Sequence, residues 1–382
     1  MKDGFVRLGE LIQERSIKNK ENLEIPVYSV TNSKGFCTEY FSKDVSSKDK
    51  TSYKIVRLGD FAYNPSRINV GSVDWQRYQK KVIVSPIYVV FSVCENIDQQ
   101  FLYYYLKSDK INFFINQLSC GSVRSNLSFT LLSKLPFPKI QKKEQQKIAQ
   151  IMDRASYLID LRISQINKLD ELIKSRFMEM FGELNIKHNQ CAELGKIAEI
   201  TSGITKGRAV NNLPLIEVPY MAVSNVKEGY IDRTTIKTIF ATKQEIERYK
   251  LLPYDVLMTE GGDPDKLGRG AIITEPPDNC IHQNHIFRIR LNRDIVHPIF
   301  YSEYLQTRNA KCYFLRCAKQ TTGIATINMR QLNALPVPLP PLPLQQQFAA
   351  FVEKVDKSKL AVKQSLEKLE TLKKSLMQQY FG

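Results

Sequence analysis

The feature that most constrains this chain is an internal repeat. An ungapped alignment places residues 135–182 on residues 335–382, at an offset of 200 positions. Both copies begin with Leu-Pro-x-Pro, continue through a Gln pair and end on Phe-Gly. Weaker matches continue upstream, where the segment starting at Phe101 resembles the one starting at Phe300. Because repeats of this length are whole structural units, the 382 residues are predicted to form two similar halves.

Each half is predicted to have a globular part followed by a helical part. The globular parts contain short β-rich runs, such as KVIVSPIYVVFSV from Lys81 and IFRIRL from Ile286, mixed with turn signals and helices. This mixture predicts an α+β fold. The predicted divisions are a globular domain at 1–138, a helical spacer region at 139–183, a second globular domain at 184–338 and a second helical region at 339–382.

The helical parts are predicted to be two long helices, at 141–181 and 341–381. No Pro or Gly occurs from Gln141 to Phe181 or from Gln345 to Phe381, and apolar residues recur every three or four positions. We expect the two helices to pack antiparallel within one chain, which gives a pseudo-two-fold repeat. A coil between two chains is the alternative. The proline runs LPFPKI and LPVPLPPLPL are expected to be stiff polyproline leads into the helices.

Charge indicates the kind of partner. The net charge is +16, and the excess is shared, with 28 Lys/Arg against 19 Asp/Glu in residues 1–182 and 27 against 20 in the remainder. An excess of positive charge in both halves favours a polyanionic partner, most simply double-stranded DNA. A basic protein without such a partner is the alternative. The seven cysteines include no Cys-x-x-Cys pair, and no run is long enough to span a membrane. These features predict a cytoplasmic protein with free thiols and no membrane association.

The repeated stretches resemble a known family. GSVRSNLSFTLLSKLPFPKIQKKEQQKI and its counterpart TTGIATINMRQLNALPVPLPPLPLQQQF, with the openings VRLGELI and AELGKIAEITSGIT, are similar to the specificity (S) subunit of type I restriction-modification enzymes. The resemblance covers the whole chain. One departure is Leu344, which stands where the first copy has Glu144 and where the family commonly has Glu.

The resemblance implies two target-recognition domains, each reading one half of a split DNA site, with the paired helices between them. It also implies docking of two methyltransferase (modification) subunits, and of restriction subunits in the complete enzyme. No catalytic residue and no cofactor are then expected in this chain. The sequence has no Gly-x-x-x-x-Gly-Lys-Ser/Thr phosphate loop, and YNPS at 63–66 lacks the second Pro and the aromatic residue of the Asn-Pro-Pro-aromatic motif of adenine methyltransferases. The alternatives are a protein-interaction scaffold without DNA specificity and a stand-alone enzyme.

Two local patterns have competing interpretations. Cys280, His282 and His285 are close enough in sequence to suggest zinc, but a polar surface loop facing DNA is the favoured interpretation, and no metal is predicted. The tyrosines Tyr103–Tyr105 could stack on bases, but their helical spacing favours core packing.

Base reading requires side chains with paired donors and acceptors on loops that can enter a groove, and phosphate binding requires basic and hydroxyl side chains. Loops with such residues occur in both halves and differ in residue type between them. The candidate DNA-binding residues of the first half are Arg67, Asn69, Ser72, Arg77, Lys80, Ser122, Arg124 and Asn126. Those of the second half are Thr205, Lys206, Arg208, Lys266, Arg269, Gln283, Asn284, Lys319, Gln320 and Thr321.

Overall fold

The structure, a computed structural model, describes residues 4–38, 49–119, 126–182, 190–209, 213–263, 266–321 and 323–382. Its contacts divide the chain into two compact units. Unit 1 comprises Met1–Ser164 and Lys363–Gly382, and unit 2 comprises Gln165–Val362. Each long helix therefore contributes one of its halves to unit 1 and the other to unit 2.

Unit 1 has a mixed strand and helix content. Its strands are β1 (Phe5–Arg7), β2 (Ile12–Glu14), β3 (Ser29–Thr31), β4 (Gly35–Cys37), β5 (Lys54–Arg57), β6 (Phe61–Tyr63), β7 (Val73–Trp75), β8 (Lys81–Val84), β9 (Val89–Val93) and β10 (Pro136–Pro138). Its helices are α1 (Gln99–Leu106), α2 (Asp109–Ser119), α3 (Phe129–Leu132) and the first part of α4 (Lys142–Phe181).

The core of unit 1 lies between a sheet and helices. The antiparallel sheet has the strand order β2-β9-β6-β7, and Phe61 stacks on Phe91 with ring centroids 5.1 Å apart. Helix α1 begins at an Asp98 cap and buries Phe101 and Tyr105 in the same cluster. A smaller cluster lies under β3, β5 and β8.

Unit 2 has the same mixture of strands and helices as unit 1, with further strands and helices added. Its strands are β11 (Cys191–Glu193), β12 (Ala198–Ser202), β13 (Ile216–Met221), β14 (Lys237–Ala241), β15 (Asp255–Thr259), β16 (Gly261–Gly262), β17 (Gly270–Ile273), β18 (Ile281–His282), β19 (Ile286–Leu291), β20 (Lys319–Thr321), β21 (Ile324–Thr326) and β22 (Pro336–Pro338). Its helices are α5 (Leu194–Ile197), α6 (Lys243–Tyr249), α7 (Pro298–Leu305), α8 (Arg308–Cys317), α9 (Met329–Asn333) and the first part of α10 (Leu342–Phe381).

The main sheet of unit 2 matches that of unit 1 strand for strand. Its order is β12-β19-β15-β17, and all of its pairs are antiparallel. Two smaller sheets are β14-β13-β18 and β16-β21-β20. The apolar side chains of β19, Phe287, Ile289 and Leu291, enter the largest core cluster, as their alternation predicts. The predicted α+β fold and its internal repeat are therefore confirmed.

The proline runs are not polyproline leads, and that prediction was wrong. Pro136–Pro138 is strand β10, which pairs with β1, and Pro336–Pro338 is β22, which pairs with β11. The backbone N–H of Leu8 donates to the Leu135 carbonyl (2.8 Å), at the end of that pairing. Proline is tolerated here because each strand belongs to a two-stranded sheet, whose outer edge needs no N–H donor.

The predicted long helices are confirmed to within one residue, as α4 and α10. In unit 2, Asp170 of α4 pairs with Lys359 of α10, and Phe177 lies 5.4 Å from Phe348 between ring centroids. Numbers rise along one helix as they fall along the other, so the packing is antiparallel. No helix in the described ranges combines the length and apolar character that crossing a bilayer requires.

In unit 1 the first half of α4 and the last half of α10 share the core with α1. Phe381 lies 5.2 Å from Phe101 between ring centroids, and Met152 is buried in the same cluster. Tyr104 and Tyr105 are 6% and 3% exposed, so core packing is the correct interpretation for both. The Tyr104 hydroxyl donates to Asp153 of α4 (2.7 Å).

Glu303 of α7 stands in unit 2 where unit 1 has Tyr104 of α1. Burial raises the pKa of its carboxyl to about 7, with Asp170 and Asp356 adding to the rise and Lys174 and Lys359 opposing it. Between the ordinary glutamate pKa and about pH 7, folded unit 2 therefore holds a proton that the unfolded chain has released. Stability from this group is present at low pH and is lost as the pH rises through that window.

We expect Glu303→Gln to stabilise unit 2 relative to the unchanged protein by a margin that grows with pH. Between pH 5 and pH 8 the margin should increase by about 2–3 kcal/mol, because the variant has no carboxyl to ionise. Urea unfolding at several pH values measures it. Glu353→Gln, an exposed site on α10, is the matched control. A margin that stays constant with pH would show that Glu303 does not titrate in this window.

Candidate nucleic-acid interface

One edge of unit 2 gathers loops that are far apart in sequence. Strand β16 pairs with β21, and β21 pairs with β20. The backbone N–H of Ile327 donates to the Glu260 carbonyl (2.9 Å). These contacts place the loop that carries Lys266 and Arg269 beside the strand that begins at Lys319.

Two further candidate loops join the same edge. The backbone N–H of Asn284 donates to the Ile204 carbonyl (3.0 Å), and the Ser202 hydroxyl donates to the Asn284 carbonyl (2.9 Å). The backbone N–H of Glu260 donates to the His285 carbonyl (3.0 Å). The structure therefore brings all four predicted loops of unit 2 together, which sequence proximity alone could not indicate.

The candidate side chains at this edge differ in availability. Thr205, Lys206 and Lys319 are exposed. Gln283 is half-buried, and its Oε1 accepts from the backbone N–H of Val223 (3.1 Å), so its carbonyl end has a structural partner. Asn284 is also half-buried. Gln320 and Thr321 form β20, and their side chains lie outside what the structure describes.

Two of the other basic candidates of unit 2, Arg208 and Lys266, pair with acidic side chains of the protein. Arg208 makes a two-pronged pair with Glu245 at 2.5 and 2.6 Å, and this guanidinium is the main cause that lowers the pKa of Glu245 to about 2. Lys266 pairs with Asp263. The backbone carbonyl of Arg269 accepts from the Thr259 N–H (2.9 Å). Arg208 thus holds its loop against α6 rather than projecting freely.

In unit 1 fewer contacts define the corresponding edge. The backbone N–H of Leu127 donates to the Pro65 carbonyl (3.0 Å), which brings the exposed Asn126 beside the loop carrying Arg67 and Asn69. Both of those side chains are exposed. The candidates Ser122 and Arg124 lie outside the described residues.

Ser72 and Arg77 have structural roles in unit 1. Ser72 is 3% exposed, and its hydroxyl donates to the Val30 carbonyl (2.6 Å), so it is not available to a ligand at the surface. Arg77 pairs with Asp74 and lies over the Trp75 ring at 4.7 Å from the centroid. These partners were not apparent from the sequence because they depend on tertiary contacts. Lys80 is exposed, next to β8.

The zinc interpretation finds no support in the side-chain geometry. Cys280 is fully buried, and burial raises the pKa of its thiol to about 12, so the thiolate that zinc requires is disfavoured. His282 is also fully buried, which corrects the prediction that this stretch is a surface loop. His285 is exposed and contacts Glu260 instead. Among the described residues no three His, Cys, Asp or Glu side chains are grouped to hold a metal ion.

Glu260 is a member of the unit 2 edge that was not among the residues predicted from the sequence. It follows β15 at the position where unit 1 has Pro65, whose carbonyl accepts from the Leu127 N–H as the Glu260 carbonyl accepts from the Ile327 N–H. The available signal was the drifting repeat, which aligns the two segments as MTEG and YNPS.

The comparisons with known proteins agree on one family. The family model for the type I restriction modification DNA specificity domain matches residues 4–171 and again residues 187–372. The EcoKI specificity subunit of Escherichia coli K12 is 22% identical over 74% of this chain and 64% of its own length. A Methanocaldococcus jannaschii protein provisionally named as the MjaX specificity subunit is 26% identical over 53% of this chain and 50% of its own length. The chain thus spans less than two thirds of these curated relatives.

Solved structures share the fold. A chain from a study of complex assembly and conformational transition of the type I restriction-modification system aligns over 100% of this chain and 98% of its own, with TM-score 0.57 and 16% identity. The S subunit from M. genitalium aligns over 99% and 96%, with TM-score 0.54 and 14% identity. With two matching domains that cover most of its length, this chain belongs to the family of the type I restriction modification DNA specificity domain.

Proposed function

We propose that this chain is the DNA-sequence specificity subunit of a type I restriction-modification enzyme, with unit 1 and unit 2 each reading one half of a split site. The observation that carries the proposal is the edge of unit 2, where four loops from distant parts of the sequence meet beside exposed Lys206 and Lys319. Lysines of this kind bind phosphates, and the amide and carboxylate groups near them can read base edges.

The contrast between the units supports unequal half-sites. The two main sheets have the same strand order, whereas the loops at their edges differ in residue type. Pro65 of unit 1 stands where unit 2 has Glu260, and Asn126 stands where unit 2 has Thr326. A repeated scaffold with different loop residues is what recognition of two different short sequences requires.

The long helices are proposed to fix the spacer between the half-sites. Both are continuous for 40 residues, and in each unit they pack antiparallel, so their length is rigidly defined. Methyl transfer and DNA cleavage are assigned to partner subunits, two methyltransferase subunits and the restriction subunits. The chain itself is proposed to be non-catalytic. A protein scaffold without DNA specificity is not favoured, because the family match is to a DNA specificity domain.

Shortening both helices should change the preferred spacer. Deletion of seven residues from each, 162–168 and 361–367, keeps the apolar faces aligned and shortens the pair by about 10 Å, the length of about three base pairs. We expect the methylation motif of the complex with its methyltransferase to have a shorter spacer and unchanged half-sites. The control keeps the length and carries Ser164→Ala and Asn167→Ala. A folded deletion variant that reads the original spacer would contradict the proposal.

A further inference from the structure

Glu260 and His285 form a side-chain pair at the unit 2 edge, and neither residue is among the candidate DNA-binding residues. His285 Nδ1 lies 2.7 Å from Glu260 Oε2. The backbones are also joined, since the Glu260 N–H donates to the His285 carbonyl and the Glu260 carbonyl accepts from Ile327. Glu260 is thus held by two neighbouring backbone segments and by one side chain, which makes its carboxylate well oriented.

The pair leaves one carboxylate oxygen of Glu260 as a hydrogen-bond acceptor for a ligand. When the imidazole is neutral and Nδ1–H donates to the carboxylate, Nε2 is an acceptor, and the amide nitrogen of Asn284 lies 3.4 Å from it. The second oxygen of Glu260 remains able to accept. The side chains of His285 and Glu260 are 59% and 35% exposed, so a ligand can reach them.

Stability does not account for this pair. Exposed ion pairs of this kind contribute between about 0 and 1 kcal/mol to folding, less than a buried contact of the same size. A carboxylate also repels DNA phosphates, which disfavours placing one at a phosphate-binding edge. In unit 1 the corresponding residue is Pro65, whose side chain carries no hydrogen-bonding group. Glu260 therefore offers unit 2 an acceptor that unit 1 lacks at this place.

A carboxylate near DNA has one favourable partner in the major groove, an exocyclic amino group, as on cytosine N4 or adenine N6. We propose that Glu260 accepts a hydrogen bond from such an amino group in the half-site of unit 2, and that His285 is a positioning residue that orients the carboxylate. This inference rests on the proposed function and assigns to it a specificity-determining residue.

The test measures methylation by the complex of this chain with its methyltransferase subunit, on DNA carrying each base pair in turn at every position of the motif. Glu260→Gln introduces an amide that can donate where the carboxylate only accepts. We expect the substitution to reduce discrimination between base pairs about tenfold or more at one position of one half-site. Recognition of the other half-site should be unchanged. The control Glu275→Gln alters another exposed carboxylate of unit 2, paired with Arg233, and should change no position.

The role of His285 is tested with two further variants. His285→Phe removes the donor to Glu260 and should weaken discrimination at the same position, whereas His285→Asn retains an N–H donor and should restore part of it. Unchanged discrimination in Glu260→Gln, or equal weakening on all sequences, would overturn the proposal. If the unchanged protein itself gave no split motif, the proposed function would fail instead of this inference.

Discussion

Replacing Gln145 with Leu is expected to lower the free energy of unfolding of unit 1 by about 2–4 kcal/mol. Gln145 is 1% exposed at the start of α4. Its Nε2 donates to the carbonyls of Ile140 (2.8 Å) and Asn96 (3.2 Å), and its Oε1 accepts from the Asp98 N–H (2.9 Å). Leu fills a similar volume but leaves these three backbone groups without their partner, and a buried unpaired group costs more than the hydrogen bond it lost.

The measurement uses a probe already present in unit 1. Trp75 is the single tryptophan of the chain, so urea unfolding followed by its fluorescence reports on unit 1. Gln146→Leu is the matched control, because the second residue of the Gln pair is exposed and should change the midpoint little. Equal effects of the two substitutions would contradict the assigned role of Gln145.

The same three contacts recur in unit 2, which explains why the first Gln of the pair is repeated. Gln345 is fully buried, donates to the carbonyls of Pro340 (2.7 Å) and Ile295 (3.3 Å), and accepts from the His297 N–H (2.9 Å). In both units this glutamine joins the start of a long helix to the turn before a core helix. The repeated junction therefore fixes the direction of each helix relative to its own globular part.

Phe177→Ala is expected to destabilise unit 2 by about 3–5 kcal/mol. Phe177 is 3% exposed, and its ring lies 5.6 Å from Phe300 and 5.4 Å from Phe348, between centroids. Phe181 contacts the same two rings. Alanine would leave a cavity among rings that cannot all move to fill it, so the loss includes both transfer and cavity contributions.

Hydrogen exchange read by mass spectrometry measures this effect segment by segment. We expect faster exchange in α7 and in the 165–181 part of α4. Met178→Ala is the control, because Met178 is 46% exposed on the same turn. If Phe177→Ala changed exchange no more than Met178→Ala, the aromatic cluster would not be what holds α4 in unit 2.

The long helices could be predicted because their signal is local. Long runs without Pro or Gly, from Gln141 to Phe181 and from Gln345 to Phe381, with apolar residues at helical spacing, indicate α4 and α10 directly from the sequence. The proline strands were misread for the opposite reason. Whether Pro136–Pro138 is a lead or a strand depends on β1, which lies at the other end of the first globular part, and no local pattern carries that information.

The candidate site likewise combines features that local sequence predicts with features that depend on tertiary contacts. The loops were recognisable from polar and glycine-rich composition, but the roles of their side chains depend on distant partners. Ser72 and Arg208 look like phosphate-binding residues in sequence, and they are held by Val30 and Glu245 respectively. Glu260 was missed because its importance comes from contacts with His285 and Ile327, which only the folded edge brings together.

The proposed function depends above all on each unit reading its own half of a split DNA site. The direct measurement is to co-express the chain with a type I methyltransferase subunit of the same host and to map methylated adenines across genomic DNA. The mapping is repeated after residues 190–338 are exchanged for the corresponding part of another family member. We predict a two-part motif with a fixed spacer, in which the exchange replaces one half and preserves the other. A complex that forms but yields a continuous motif, no motif, or changes in both halves would contradict this function.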